Sequence, residues 1–452
     1  MEVTLEEMLR AREDRVRRQE AMLRRYGGPL ISFSMNMPGP VKDSPLLRRA
    51  FRAGRAQLEA GLRAWSLPVL AREERLASTG CEGLYAAAGP AEKVKELCVS
   101  IEEGSSLGRL WDMDVLSPGG SRLAREAVGG RPRGCMVCGK AGRGCASRRL
   151  HAVSELQEAA RRILTSHFAA ADRDCAAALA TQALLEEVCV TPKPGLVDCA
   201  NTGSHRDMDL FTFLRSAAAL IPYWARCVET GMETAAEPPG AAFQALRQAG
   251  RAAERTMFAA TGGVNTHKGA IFTLGLLCGA AGRLWRPEGP CRDPERLLEQ
   301  CAALARTPWE TDFSPLRAGA PPSTAGERLY LSQGLTGIRG EAARGLPGVR
   351  DRALPALRRA LAAGRSRNDA GAIALLHLIA SVEDTNMTAR GGPEAARAAR
   401  TACAAVLERE ALPSMEAIAE LDLDFIRQNL SPGGCADLLA AAFFLLSWQE
   451  AE

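Results

Sequence analysis

From about residue 171 to its end the chain repeats one alternation, an Ala/Leu-rich helical stretch followed by a short polar corner that carries glycine. The helical stretches are CAAALATQALLEEVCV (175–190), LFTFLRSAAALIPYW (210–224), AIFTLGLLCGAAGRL (270–284), AIALLHLIASV (372–382) and ADLLAAAFFLLSW (436–448). Few segments here suggest strands, so the region is predicted to be a larger all-α domain. The corner TPKPGLVDCANTGSHRDMD (191–209) is barred from helix by Pro192 and Pro194, and it carries Lys193, Asp198, Asn201, His205, Asp207 and Asp209. GGVNTHKGA (262–270), GIRGEAARG (337–345), EDTNMTARGG (383–392) and NLSPGGCADLL (429–439) follow. A helix cap or a turn explains any one of them. Five that combine Lys, His, Asp and Glu on one scaffold predict a common pocket.

Before about residue 165 the texture changes. PLISFSM (29–35) and KELCVSI (95–101) read as β-like runs among helices, which predicts an α/β or α+β domain. The boundary is expected within TSHFAAADRDC (165–175), dividing the chain into domains at 1–168 and 169–452. LEEMLRAREDRVRRQEAML (5–23) is expected to form an amphipathic helix packing Leu5, Met8, Leu9 and Val16. PEGPCRDPE (287–295) and SPLRAGAPPSTAGE (314–327) read as loops.

Charge divides the same way. Residues 1–170 hold 28 Lys and Arg against 20 Asp and Glu, whereas the remainder holds 29 against 33. The excess is dense at Arg122, Arg125, Arg131, Arg133, Lys140, Arg143, Arg148 and Arg149, which suits a polyphosphate or an acidic protein; an ordinary solvated surface is the plain alternative. No nucleic-acid partner is expected, since no zinc-finger array, RNA-binding aromatic signature or long basic helix accompanies the charge. The charged N-terminus and the lack of a long apolar span predict a cytoplasmic chain with no membrane partner, in which the 14 cysteines are mostly reduced.

Two stretches carry chemistry by position. In GGVNTHKGAIFT, Asn265, Thr266, His267 and Lys268 open an apolar helix, and amides at a helix start beside a cation suit a phosphate; simple capping by Asn265 or Thr266 is the alternative. In EEGSSLGRLWDMDVL (102–116) an extended strand places Asp112 and Asp114 on one face and Trp111, Met113 and Val115 on the other. Two carboxylates together favour a cation between them, and Mg²⁺ with substrate phosphates fits, although exposed polar positions on an amphipathic strand look the same. Gly104, Ser105, Ser106 and Gly108 just before them suit a phosphate-cradling turn. Cys135, Cys138, Cys145 and His151 have the spacing of a Cys₃His zinc site, with structural thiols as the alternative.

The ordered series TPKPGLVD, NTGSHRDMD, GGVNTHKGAIF, GIRGE, VEDTN and SPGGCADLLA resembles triphosphoribosyl-dephospho-CoA synthase over nearly all of residues 171–452. The resemblance implies joining of ATP to 3′-dephospho-CoA, with release of adenine. It further implies that Lys193, Lys268, Asn201, Asn265, Thr266, Gly433, Gly434 and Asp437 bind substrate. Catalytic work would fall among Asp198, His205, His267, Glu341, Glu383 and Asp384, with Asp207 and Asp209 holding Mg²⁺. MNMPGPVKDSPLLRRAF (35–51), GRLWDMDV (108–115) and RGCMVCGKAGRGCASRRLH (133–151) resemble the apo-citrate lyase phosphoribosyl-dephospho-CoA transferase, a nucleotidyltransferase, over about residues 25–165. That resemblance implies a nucleotidyltransferase-like fold and transfer to a serine of the citrate lyase acyl carrier subunit, with loss of pyrophosphate. Asp112 and Asp114 would bind Mg²⁺ and act in catalysis, Arg109 and Lys42 would meet phosphate, and Asn36 and Gly39 would shape the pocket. The product of the second half is then the substrate of the first, implying a bifunctional enzyme. The same chemistry for malonate decarboxylase, or a non-catalytic carrier-protein chaperone, are the alternatives.

Overall fold

The computed structural model describes residues 2–140, 145, 148–322 and 325–451, so Arg143 of the basic stretch lies outside the described residues. The chain forms two compact units. One comprises residues 1–171 with 287–289, the other 172–286 with 290–452.

The first unit is a four-stranded sheet of order β2-β3-β1-β4, from β1 (Leu30–Met35), β2 (Val69–Ala77), β3 (Gly80–Ala87) and β4 (Trp111–Leu116). All three pairings are antiparallel, so the unit is α+β and the α/β alternative is corrected: no parallel crossover is made among the described residues. Helices α1 (Leu5–Tyr26), α2 (Pro45–Ala64) and α3 (Ala91–Glu103) accompany it. KELCVSI lies in α3 rather than in a strand. Its apolar residues continue a helical stripe through Val94, Leu97, Cys98 and Ile101, all buried, and that spacing of three and four outweighs the β propensity of its valine and isoleucine.

The sheet sorts its residues by parity. Phe33 stacks on Phe51 of α2 with ring centroids 4.7 Å apart, Trp111 meets Phe33 edge-on, and the indole of Trp111 donates to Ala50 O at 3.0 Å. Asp112 and Asp114 alternate with these buried residues, opposite Ser34 and Ser32 of β1. α1 forms as expected, started by a Thr4/Glu7 capping box and ended by Gly27 in the left-handed region, but its buried side is not the expected one. Leu5, Leu9 and Val16 are exposed, whereas Arg15, Arg18, Gln19 and Met22 face the sheet. The surface they cover is itself polar: Glu82 pairs with Arg15 at 2.6 Å and with Arg18, and Gln19 donates to Ser32 Oγ at 2.8 Å.

α4 (Val153–Cys189) runs without a break through the stretch where the unit changes. The second unit continues with α5 (Leu210–Ala219), α6 (Ile221–Glu233), α7 (Pro239–Ala260), α8 (Lys268–Arg283), α9 (Pro294–Arg317), α10 (Ala325–Gln333), α11 (Gly337–Ala343), α12 (Leu354–Ala362), α13 (Arg367–Ser381), α14 (Thr385–Arg409), α15 (Met415–Arg427) and α16 (Gly433–Glu450). It contains no strand among the described residues. SPLR of the second expected loop belongs to α9, and α14 is kinked at Gly392 and Pro393. Residues 273–282 of α8 and 438–448 of α16 are buried on every side, as helices at the centre of a helical assembly must be. No described helix is long and apolar enough to cross a membrane.

Candidate active sites

In the helical unit all five glycine corners meet around one cavity of about 540 Å³. Of the residues singled out in the sequence it gathers Lys193, His205, Asp207, Asn265, Thr266, His267, Lys268, Glu341, Glu383, Asp384, Gly433, Gly434 and Asp437. Asp198, Asn201 and Asp209 do not line it. Asp198 accepts the amides of Lys193 at 3.1 Å, Ala200 at 2.7 Å and Asn201 at 2.9 Å, so its carboxylate is consumed in folding the 191–209 corner. Asn201 donates to Asp422 Oδ2 at 2.9 Å, and Asp422 also accepts Gly195 N–H at 2.8 Å. Asp209 caps α5 by accepting Thr212 N–H at 2.8 Å. Asp198 and Asn201 thus serve the fold of the 191–209 corner and Asp209 the start of α5, outside the lining of this cavity.

The start of α8 answers to a carboxylate of the protein itself. A Cβ on Gly269 would stand 1.8 Å from Asp437 Oδ2, and the amide of Ala270 bonds to Asp437. The expected anion site at that helix terminus is thus taken by Asp437, and Asn265 Oδ1 accepts the amide of Lys268 at 3.3 Å. Burial, then the nearby Glu187 and Asp384, push the Asp437 carboxyl well above the usual carboxylate range, so it holds a proton more readily than a free side chain. Asp384 follows the same design. It accepts Asn386 N–H at 2.7 Å and Met387 N–H at 3.1 Å at the start of α14, and Cys435 N–H at 2.9 Å at the start of α16. Burial raises its pKa, and those amides oppose the rise. Gly434 lets the two helix starts approach, since a Cβ there would lie 2.9 Å from Asp384 Oδ2. Glu341 accepts Gly348 N–H at 2.9 Å and pairs with Arg344 at 3.3 Å, while Glu383 stands largely in solvent.

Both cavity histidines are pushed toward the neutral form. His205 Nδ1 faces Arg390 Nη2 at 3.2 Å; a guanidinium only donates, so Nδ1 is the bare nitrogen and Nε2–H donates to Ser431 Oγ at 2.8 Å. Burial and then Arg390 lower its pKa, with Asp207 acting the other way. His267 is fully enclosed, its Nδ1 2.7 Å from Ser216 Oγ and its ring edge-on to Phe213. Burial, then Lys193, pushes its pKa down to about 3, and its buried Nε2 has no partner among the described residues. A buried polar atom without a partner on a cavity wall fits a group supplied by substrate. Lys193 Nζ is committed to Glu187, at 2.6 Å from Oε1 and 2.7 Å from the carbonyl, whereas Lys268 is half exposed, 3.3 Å from Glu254.

The sheet unit holds a second cavity of about 1400 Å³, lined by Asn36, Arg109, Asp112, Asp114, Cys135, Cys145 and His151 among others. Gly39 and Lys42 are not in its lining; Gly39 abuts Gln157, and Lys42 Nζ donates to Met37 O at 2.5 Å. Arg109 donates to Gly134 O at 2.9 and 2.7 Å, leaving a buried Nη1 without a partner among the described residues. Burial, then Asp112, raises the Asp114 pKa, against Arg122 and Lys95. Asp112 lies 3.9 Å from Arg133. Two hard-oxygen donors on one strand face, one of them disfavoured as an anion, form a donor set that fits Mg²⁺. The basic stretch is only partly a surface. Arg125 and Arg133 turn inward to buried Glu102, whereas Arg131, Lys140, Arg148 and Arg149 are exposed.

The family model described as "ATP:dephospho-CoA triphosphoribosyl transferase" matches residues 173–452, and that described as "Apo-citrate lyase phosphoribosyl-dephospho-CoA transferase" matches residues 3–167. A "Protein CitXG" of Haemophilus influenzae is 35% identical over 99% of this chain and 97% of its own length. The chain belongs to the CitXG family. A further CitXG protein, of Leuconostoc mesenteroides, is 30% identical over 98% of the chain and 97% of its own length. A 2-(5″-triphosphoribosyl)-3′-dephosphocoenzyme-A synthase of Klebsiella pneumoniae is 41% identical over 58% of the chain and 87% of its own length. As a CitXG member the chain is a bifunctional transferase of citrate lyase prosthetic-group biosynthesis. The sequence did not single out Glu187, Arg390 and Ser431 in one cavity, Ser216 behind His267, or Lys95 and Glu102 in the other cavity. Arg390 and Glu102 stand inside motifs already singled out, so their charge was the available signal. Glu187 and Ser216 lie within regular helix, where nothing in the local pattern marks them.

Proposed function

We propose that the helical unit's cavity joins ATP to 3′-dephospho-CoA and that the sheet unit's cavity transfers the product to the acyl carrier subunit, both in the cytoplasm where these substrates are found. The convergence of five corners, bringing cations and buried carboxyls to one cavity, carries the reading. In the first reaction the C1′–N9 bond of ATP breaks and C1′ bonds to the 2′-oxygen of dephospho-CoA. Asp437, with its raised pKa, gives a proton to departing adenine, and Glu341 takes the proton of the 2′-hydroxyl, so the step is proton-neutral. His267 supplies a hydrogen bond from a neutral ring rather than a proton, because an imidazole with a pKa of about 3 carries no charge to give at neutral pH. Lys268 and Arg390 meet the triphosphate. Asp207 and Glu383, largely solvated, have oxygens to offer a hydrated Mg²⁺, which would supply neutralising charge.

In the sheet unit the carrier serine's oxygen bonds to the phosphorus next to the ribose, the bond from that phosphorus to pyrophosphate breaks, and the hydroxyl proton leaves with the pyrophosphate. Asp112 and Asp114 would hold Mg²⁺ in a nucleotidyltransferase-like arrangement, and Arg109, with one nitrogen free, would meet phosphate. Adenine release measured by chromatography and carrier mass gain measured by mass spectrometry separate the two activities. Asp437→Asn should stop the first and spare transfer of preformed product; Asp112→Asn should do the reverse. Failure of the wild type to release adenine from ATP plus dephospho-CoA would falsify the reading.

A further inference from the structure

We infer that Cys135, Cys138, Cys145 and His151 bind one structural Zn²⁺, and that this metal fixes the arginine-bearing wall of the sheet unit's cavity. The four ligand atoms all lie within 4.8 Å of one another. Cys138 Sγ is 3.5 Å from Cys145 Sγ, and His151 Nε2 is 3.4 Å from Cys138 Sγ. The edges of a zinc tetrahedron are about 3.8 Å between sulfurs and about 3.6 Å between nitrogen and sulfur, given Zn–S of ~2.3 Å and Zn–N of ~2.0–2.1 Å. A disulfide, by contrast, needs sulfurs about 2.05 Å apart, and it would leave two of the four groups unexplained.

The backbone is shaped for the same purpose. Cys135 N–H donates to Lys140 O at 2.7 Å and Gly139 N–H to Cys135 O at 2.9 Å, closing a tight turn with Gly139 at φ +70°. That turn returns Cys138 beside Cys135, and Val137 N–H points at Cys135 Sγ at 3.5 Å, a contact that favours the thiolate a metal requires. His151 stands two residues before α4, so the site ties the turn to the start of a long helix. Four protein ligands complete a tetrahedron with no open position, which makes the metal structural rather than catalytic; binding releases the three thiol protons.

Its consequence lies in what the turn carries. Gly134, immediately before Cys135, is the acceptor for Arg109, and Arg133 beside it bridges Glu102 and Asp112. Cys135, Cys145, Arg149 and His151 line the cavity that holds Asp112 and Asp114. The metal therefore positions cations around the carboxylate pair without touching substrate.

Elemental analysis of the full chain, purified under reducing conditions without a metal-affinity step, tests this directly. About one zinc per chain is expected, retained by Cys291→Ser and lost from both Cys138→Ser and His151→Ala. Cobalt substitution should give thiolate-to-metal charge-transfer bands and the intense visible bands of a tetrahedral centre. Removal of zinc by a zinc-selective chelator, with Mg²⁺ held in excess, should abolish transfer to the carrier and leave adenine release intact. Zinc absent from the wild type, zinc retained by both ligand variants, or a Cys138–Cys145 disulfide in the reduced preparation overturns the site. Zinc removed with transfer unchanged overturns the positioning role.

Discussion

The two cavities neutralise their carboxylates by different means. In the sheet unit Asp114, Asp112 and Glu102 face arginine side chains, Arg122, Arg133 and Arg125. In the helical unit Asp384 and Asp437 are buried and turned to backbone amides at the starts of α8, α14 and α16, which cannot move without moving a helix. The difference matches the size of what each must admit. On the proposed reading a carrier-protein serine enters the sheet unit's larger cavity, whereas cleavage of a glycosidic bond in the helical unit needs fixed dipoles and excluded water.

The sharpest way to break this contrast is Asp437→Asn. Adenine release should fall ~10²–10⁴-fold, the range for a lost general acid, with transfer unchanged. The same variant should be more stable at neutral pH. A carboxyl whose folded pKa is raised binds its proton more tightly when folded, so stability falls as pH rises from the unfolded value of 3.8 toward the folded one, and Asn removes that loss; denaturation at pH 7 checks it. Asp112→Asn should lower carrier modification roughly 10²–10³-fold, the scale of removing one preorganised electrostatic group, and leave adenine release alone. Loss of both activities in either variant would show that the cavities are not independent.

Gly269→Ala tests the rigidity assigned to the helical cavity. The new methyl would meet Asp437 at 1.8 Å, so a cost of about 1–3 kcal/mol and a matching fall in Tm are expected, with adenine release lost before transfer. His267 sharpens the same point through pH. Its folded pKa of about 3 lies below its ordinary 6.5, so its share of stability is fully present above pH 6.5 and is lost as pH falls toward 3. His267→Gln should flatten the acid limb of a denaturation profile over that window. Lys268→Ala should have the smallest effect, about a tenfold rise in KM for ATP, because the lysine is half exposed and already beside Glu254.

Much of the scaffold was legible along the chain. Pro192 and Pro194 announced the first corner, the long apolar runs announced α8, α13 and α16, and strand parity put Asp112 and Asp114 on one face opposite Trp111. Local signals misled in two ways, through a competing local period and through a partner distant in sequence. KELCVSI had β-forming residues but a helical stripe, and the apolar stripe of α1 lost to a polar one because Glu82 and Ser32 lay across from it.

The sequence by itself determined which residues occupy corners, because proline, glycine and hydrophobic period act over a few neighbours. Only the tertiary structure decided what each corner residue does there. Asp198, Asp384 and Asp437 are the same side chain in similar polar motifs, yet one is spent on its own loop, one bridges two helix starts, and one retains a raised pKa. For Asp384 and Asp437 those fates are set by groups far away in the chain, the Cys435 amide for one and the Glu187 charge with deep burial for the other.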